Sequence, residues 1–326
     1  MIRARITGTG AFVPERILTN SELEKMVDTT GEWIVERTGI RERRIAAADQ
    51  SASDLAYGAA KAALKSANLK AKDLDLIIVA TITGDMPLPS TACILQDKLD
   101  ARNAAAFDVV AACSGFVYGL SVANAYVRSG AYRKVLVVGT EVLSKVTDWE
   151  DRTTCVLFGD GAGAAVIEAT EEDRGIMSVN IHSDGSMWEL LHTPAGGSKN
   201  PASKETVRKR QHFIRMKGNE TFKVAVRTLE SLVVDTLEEN RLKPSQLSLL
   251  IPHQANERII QATAKRLNLP MERVVMNLDR YGNTSAASIP LALDEAVRMG
   301  RVRDGDYVLL EAFGGGLTWA AALIKW

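Results

Sequence analysis

Short unbroken runs of Val, Ile and Leu recur along the chain, each reached through a helix-length segment of mixed polarity. Residues 63–79 (ALKSANLKAKDLDLIIV) read as the tail of a helix turning into an apolar strand, and so do residues 236–252 (TLEENRLKPSQLSLLIP). Further strands are predicted at 134–139 (KVLVVG) and 307–312 (YVLLEA), and final strands follow the glycine turns of 159–167 (GDGAGAAVI) and 314–324 (GGGLTWAAALI). Strands that are apolar throughout, rather than alternating, are covered on both faces, so the pattern predicts mainly parallel sheets sandwiched by helices.

These segments come in pairs. Leu64, Leu69, Lys70, Leu74 and Leu76 align without a gap on Leu237, Leu242, Lys243, Leu247 and Leu249, and the helix end 125–130 matches 295–300. The chain therefore reads as two stacked halves of roughly 160 residues each, with an offset near 170. Residues 109–127 (VVAACSGFVYGLSVANAYV) carry no charge and approach the length of a membrane span, but Ser114, Tyr118, Ser121 and Asn124 interrupt them. A strand end near 107–110 followed by a wholly buried helix, shared between two sheets, accounts for the run without a membrane. Aligned through the helix ends, Cys113 falls on Asn283, each where a strand-end loop enters a central helix. The strand ending near Thr81 corresponds to the one delivering Pro252, His253 and Gln254. Ligands of open α/β sheets gather beyond the carboxyl ends of strands, so Cys113, His253 and Asn283 are expected to converge.

Composition narrows the class of protein. With 46% hydrophobic and 25% charged residues, disordered and collagen-like chains are excluded. Forty basic and forty acidic side chains cancel, which leaves no global field for nucleic acid or an anionic membrane and confines any acidic partner to a local patch. Three scattered cysteines form neither a disulfide framework nor a zinc site, and the N-terminal stretch builds no secretory signal, so the cytoplasm is expected. Four histidines without a tight acidic cluster argue against a metal.

Cys113 at a helix start is expected to have its thiolate stabilised by free backbone amides, hence a lowered pKa and a nucleophilic role. Cys93 and Cys155 read as small core residues, and His182, His192 and His212 as loop residues. A neutral His253 with Asn283 would present two hydrogen-bond donors suited to an enolate oxygen, although a buried histidine and a helix-capping asparagine are the plainer readings of each residue alone. Backbone N–H groups in Gly314-Gly315-Gly316, with that of Cys113, suit an oxyanion hole; a glycine-rich turn is the simpler alternative.

Six ordered blocks then carry a resemblance that runs nearly end to end: 27–43 (VDTTGEWIVERTGIRER), 108–116 (DVVAACSGF), 158–165 (FGDGAGAA), 252–256 (PHQAN), 282–288 (GNTSAAS) and 311–319 (EAFGGGLTW). The sequence is similar to the thiolase-fold condensing enzymes, and among them to the β-ketoacyl-acyl-carrier-protein synthase III family. That resemblance implies an α/β, thiolase-like duplicated fold of five layers (αβαβα), with two mixed sheets and buried central helices. It implies an N-terminal half (1–173) carrying the catalytic Cys113 and a C-terminal half (174–326) carrying His253 and Asn283. The implied reaction is a decarboxylative condensation: Cys113 takes an acyl group from acyl-CoA, then condenses it with malonyl-acyl carrier protein, giving 3-oxoacyl-carrier protein, CoA and carbon dioxide. Gly315 is implied in the oxyanion hole and Phe313 in decarboxylation. Trp33 and Arg152 are implied to sandwich the adenine of CoA, with Arg37 near its phosphate and Gly218, Phe222 and Asn256 along the pantetheine tunnel. Lys223, Arg258, Lys265 and Arg266 are implied to face the carrier protein. Acyl-CoA is a substrate and no cofactor is implied; a homodimer joined through strands near 106–110 is. Leu88 stands where members using a two-carbon starter tend to carry phenylalanine, which leaves the starter open, and the polar segment 196–212 reads as mobile and flanking the tunnel.

Within the same fold a thiolase, a hydroxymethylglutaryl-CoA synthase-like enzyme and a plant-type polyketide synthase stay open, although a thiolase would want a second catalytic cysteine near the C-terminal strands and none follows Cys155; two rivals outside it are set against this reading. His253 follows Cys113 at a spacing found in papain-like hydrolases, but the signature around the nucleophile is absent and the repeat demands a duplicated fold. A non-enzymatic acyl-binding protein predicts a thiol of ordinary reactivity.

Overall fold

The computed structural model describes residues 2–326. Its strands are β1 (Arg3–Phe12), β2 (Arg16–Thr19), β3 (Glu42–Ile45), β4 (Leu76–Ala80), β5 (Ala105–Val109), β6 (Lys134–Val142), β7 (Asp160–Thr170), β8 (Gly175–Ser183), β9 (Leu191–His192), β10 (Arg215–Met216), β11 (Leu249–Pro252), β12 (Tyr307–Gly314) and β13 (Thr318–Lys325). The α-helices are α1 (Asn20–Leu23), α2 (Gly31–Thr38), α3 (Ala52–Ser66), α4 (Thr91–Lys98), α5 (Gly115–Ser129), α6 (Lys204–Arg208), α7 (Gly218–Glu239), α8 (Glu257–Arg266), α9 (Leu278–Tyr281) and α10 (Ser288–Arg298).

The repeat is visible in the sheets. One runs β1-β7-β6-β4-β5 and the other β8-β13-β12-β11, the same order up to the last place, where the second sheet has only a bridge between Leu250 and Val274. Both sheets are mixed rather than mainly parallel. β4 runs parallel to β5 and β6, and β11 to β12, whereas β7 and β13 turn back antiparallel and pair with β1 and β8, also antiparallel. Continuous apolar strands identified two-sided burial correctly; they carry no information on the direction of the final strand.

Burial sorts the elements into five layers. Phe116, Val117 and Leu120 of α5 and Ile289, Ala292 and Leu293 of α10 fill the centre between Ile78 and Val137 of one sheet and Ile251 and Leu310 of the other. Leu55 and Ala59 of α3 with Leu95 of α4 cover the outer face of the first sheet, and Leu229 and Val233 of α7 with Ile260 of α8 cover that of the second. Fully burying one such large side chain contributes about 1.5–3 kcal/mol.

Five sequence expectations are corrected here. The helix α5 is not wholly buried: Ala125, Tyr126 and Arg128 are exposed where it leaves the sandwich. The counterpart of Cys113 is Ala286, not Asn283. The turns 112–114 and 285–287 enter α5 and α10 with the same backbone, and α5 is 15 residues long against 11 for α10, so matching the helix ends slips the alignment. Cys93 is exposed on α4, and the histidines expected in loops include two in strands, His182 in β8, stacked on Trp319, and His192 in β9. Finally, the segment 196–212 is folded. It forms α6, closes on itself through Ala195 N–H to Gln211 O at 2.9 Å, and is pinned where Arg210 meets the buried Asp148.

Candidate active site

Strand β12 assembles the site. Its Glu311 pairs with Pro252 at the end of β11, and the His253 N–H donates to the Glu311 carbonyl at 2.8 Å. Three residues further on, β12 reaches Gly314, where a Cβ would stand 2.6 Å from the Cys113 nitrogen; only glycine permits that approach. Cys113 itself is the middle residue of the turn 112–114, which starts with Ala112 at φ 45°. Asn283 forms a parallel bridge with Phe158, and its Oδ1 accepts the Ser285 N–H at 2.9 Å. The Ser285 hydroxyl lies close enough to Cys113 and Glu141 to lower both pKa values, without meeting either at full hydrogen-bond geometry. The chain thus gathers Cys113, His253 and Asn283 at one set of strand ends.

The polar atoms of this cluster are oriented. Ser288 Oγ accepts the Gln254 N–H at 2.6 Å, so its own proton is free for His253 Nδ1 at 3.0 Å. With Ser288 donating in this way, the imidazole hydrogen is left to Nε2. Gln254 is locked in turn: Nε2 donates to the Pro252 and Val275 carbonyls, and Oε1 accepts from Asn277 and Leu278. His253 Nε2 and Asn283 Nδ2 donate to no protein group, and neither belongs to the polar atoms sealed from solvent. Two donors without a protein partner therefore lie at the strand ends that also carry Cys113, a residue that is itself 8% exposed.

Electrostatically the cluster is neutral at rest. Burial pushes His253 down to about 3, so its imidazole is uncharged at neutral pH. Burial pushes the Cys113 thiol up to about 12, with the Glu141 carboxylate adding to the rise and Ser285 opposing it. This overturns the expectation of a lowered pKa: loss of solvent around the sulfur outweighs the helix terminus. Glu141 is itself pushed up to about 7 by burial, although Thr81, Ile82 and Thr83 donate to it.

The remaining expected site residues fall into two groups. Phe313 is buried in the outer core against α7 and α8, and Gly315 rests on Leu191, one residue beyond the glycine that touches Cys113. Trp33, capped into α2 by Thr30, has the guanidinium carbons of Arg152 and Arg37 at 5.2 and 5.9 Å from its ring. Asn256 caps α8 and donates to the Arg37 carbonyl at 2.9 Å, tying α8 to α2. Gly218 opens α7, and Phe222 packs under Arg258, whose guanidinium carbon is 5.7 Å from the ring. Lys223, Arg258, Lys265 and Arg266 are all exposed on α7 and α8. Ser288, Gln254 and Glu141 were not anticipated as site residues. Ser288 and Gln254 stand inside two of the quoted blocks, a signal that was available, whereas nothing local marks Glu141. Two surface cavities, of about 360 and 760 Å³, lie elsewhere, beside Tyr281 and α10 and over α1 and α2, and neither includes Cys113.

A doubled α/β sandwich with a thiol, an imidazole and a carboxamide at its strand ends defines the class: a thiolase-fold acyltransferase. Comparison with known proteins makes the class specific. Residues 107–185 match the family described as 3-oxoacyl-[acyl-carrier-protein (ACP)] synthase III, and residues 237–326 match its C-terminal part. A β-ketoacyl-[acyl-carrier-protein] synthase III of Caldanaerobacter subterraneus subsp. tengcongensis is 57% identical over 325 residues, covering 100% of this chain and 98% of that protein. Another, from Thioalkalivibrio sulfidiphilus, is also 57% identical and covers 100% of both. The crystal structure of 3-oxoacyl-[acyl-carrier-protein] synthase III from Aquifex aeolicus is similar with a TM-score of 0.92 and 50% identity, covering 99% of this chain and 100% of that one. The chain belongs to the β-ketoacyl-acyl-carrier-protein synthase III family. Its reaction is the condensation that initiates fatty acid synthesis.

Proposed function

We propose that Cys113 is the acyl acceptor and that His253 and Asn283 are the two donors that stabilise an enolate. The Cys113 sulfur attacks the thioester of an acyl-CoA, the carbon–sulfur bond to CoA breaks, and the thiol proton leaves with CoA as its free thiol. Malonyl-acyl carrier protein then binds in place of the departed CoA. Loss of carbon dioxide leaves an electron pair on the thioester enolate, whose oxygen accepts from His253 Nε2 and Asn283 Nδ2. The enolate carbon attacks the acyl-cysteine, the sulfur departs with the electrons of the broken bond, and a proton from solvent restores the resting thiol. Neutral donors suit this step, because an ionised group would either repel the enolate or quench it. Splitting the exchange through a covalent intermediate replaces one difficult step by two easier ones.

The observation that carries this reading is the pair of unpartnered, accessible N–H groups of His253 and Asn283, with Asn283 linked through Ser285 to Cys113. Gly315 is assigned to the oxyanion hole with the Cys113 N–H, and Phe313 to desolvating the malonyl carboxylate. Trp33, Arg37 and Arg152 are assigned to the CoA nucleotide. Stacking adenine between ring and guanidinium needs about 7 Å, two contact distances, so Arg152 must swing outward from its 5.2 Å position. Gly218, Phe222 and Asn256 are assigned to the pantetheine arm, and the cations Lys223, Arg258, Lys265 and Arg266 to the acidic carrier protein. The edge strand β5, followed by Val110 at 77% exposure, is assigned to a homodimer, with Leu88 at 84% exposure beside the partner's acyl pocket. No helix among the described residues is long and apolar enough to cross a membrane, and we place the reaction in the cytoplasm. We divide the chain at 173/174, between the last strand of one sheet and the first of the other.

The test follows labelled carbon dioxide and product together. Acyl-CoA plus malonyl-carrier protein should yield 3-oxoacyl-carrier protein and carbon dioxide in equal amounts. Free fatty acid without carbon dioxide would instead indicate a hydrolase.

A further inference from the structure

Arg43 closes the first of the sequence blocks and lies in β3, opposite Leu18. It is 0% exposed, the largest fully buried side chain of the molecule, and forms no ion pair among the described residues. A buried cation without a counter-ion is costly, so its hydrogen bonds indicate what it holds. Nη1 donates to the Leu18 carbonyl at 3.2 Å and to Asn20 Oδ1 at 2.9 Å, and Nη2 donates to the Val156 carbonyl at 2.8 Å. Asn20 is held in turn by donating to the Ile40 carbonyl at 2.8 Å.

Val156 begins the segment that grips Asn283. The next carbonyl, that of Leu157, accepts the Asn283 N–H at 2.8 Å, and the Gly159 N–H donates to the Asn283 carbonyl at 3.0 Å. The Arg43 stem packs on both glycines of this join: a Cβ on Gly159 or Gly282 would stand 3.0 or 3.3 Å from the Arg43 Cβ. Gly282 also turns at φ 64°, which hands the chain to Asn283.

We infer that Arg43 is a positioning residue for Asn283: its guanidinium fixes the 156–159 segment that clamps the Asn283 peptide on both sides, and so sets the direction of Nδ2. The inference rests on the reading of Asn283 as an enolate donor. The fork geometry requires arginine, since lysine supplies charge without two directed arms and methionine supplies only volume.

The full-length enzyme and its R43M and R43K variants are assayed in two half-reactions with thermal melts alongside. One is transfer of labelled acetyl from acetyl-CoA to protein, and the other is release of labelled carbon dioxide from malonyl-carrier protein. R43M should decarboxylate roughly tenfold to a hundredfold more slowly while acyl transfer stays within about twofold, because a small displacement of a donor is costly only to the step that uses it. R43K should recover part of the loss. Parallel loss in both half-reactions, or decarboxylation within about twofold of wild type in a folded variant, overturns the inference. Should R43M not fold, R43K alone decides by the same criterion. N283A is run beside them: unchanged decarboxylation there refutes the role of Asn283, whereas a loss in N283A with none in either Arg43 variant refutes only the hold of Arg43 on it.

Discussion

Ala112 and Ser285 turn the backbone alike, with φ 45° and 47°, at positions 285 − 112 = 173 residues apart. Each begins the short turn that enters one of the two central helices. In one half the turn presents Cys113; in the other it presents Ala286, with Asn283, the proposed enolate donor, two residues before the turn begins. The duplication has kept the backbone device while the side chains it presents differ between its copies.

That device is open to test at Ala112. A left-handed φ costs a non-glycine residue roughly 1–2 kcal/mol, and a β-branched residue more. Ala112→Gly should be neutral or slightly stabilising and keep Cys113 reactive. Ala112→Val should lower the melting temperature by several degrees and slow Cys113 acylation at least about tenfold. Melting curves and acyl-labelling rates check both, and a valine variant equal to wild type would contradict the assignment.

The resting thiol gives a pH signature. With Cys113 pushed up to about 12, its thiolate fraction rises tenfold per pH unit across the neutral range. His253, pushed down to about 3, adds no inflection there. Glu141, pushed up to about 7, ionises at the foot of this range and flattens the rise there, so the rate of Cys113 alkylation by iodoacetamide should climb log-linearly from about pH 8 to about pH 10. A plateau already reached at pH 7 would mean that the thiolate is stabilised in the resting enzyme.

Glu311 links stability to pH. Burial pushes its carboxyl up to about 8, and both oxygens lack a hydrogen bond of ordinary geometry, with the Thr263 hydroxyl opposing the shift. The folded chain holds a proton there that the unfolded chain has released, so this contribution is full below the ordinary carboxylate value and fades as pH rises through about 8. Glu311→Gln should gain melting temperature relative to wild type by a few degrees at about pH 9 and by little at about pH 5. A difference that does not change with pH would be inconsistent with a buried, titrating Glu311.

Much of this was legible in the sequence because it depends on local pattern. Leu64 to Leu76 and Leu237 to Leu249 announce the duplication, and His253 at a strand end and Cys113 at a helix entry are placed by the strands and helices around them. What escaped depends on contacts between distant segments or on a competition between forces. The register of Cys113 slipped because the two central helices differ in length. Its pKa went the wrong way because burial, which no local motif reports, outweighed the helix terminus. Ser288 and Gln254 were quoted within their blocks, yet their hold on His253 appears only when α10 packs against β11. Arg43 looked like one more charge in a polar run until the fold buried it.

The most direct test of the whole account is the mass of the intact protein after incubation with acyl-CoAs, followed by peptide mapping. Wild type should gain one acyl group on the peptide containing Cys113, lose it when malonyl-carrier protein is added, and show none in Cys113→Ala. An acyl group carried elsewhere, or an adduct that survives malonyl-carrier protein unchanged, would contradict it.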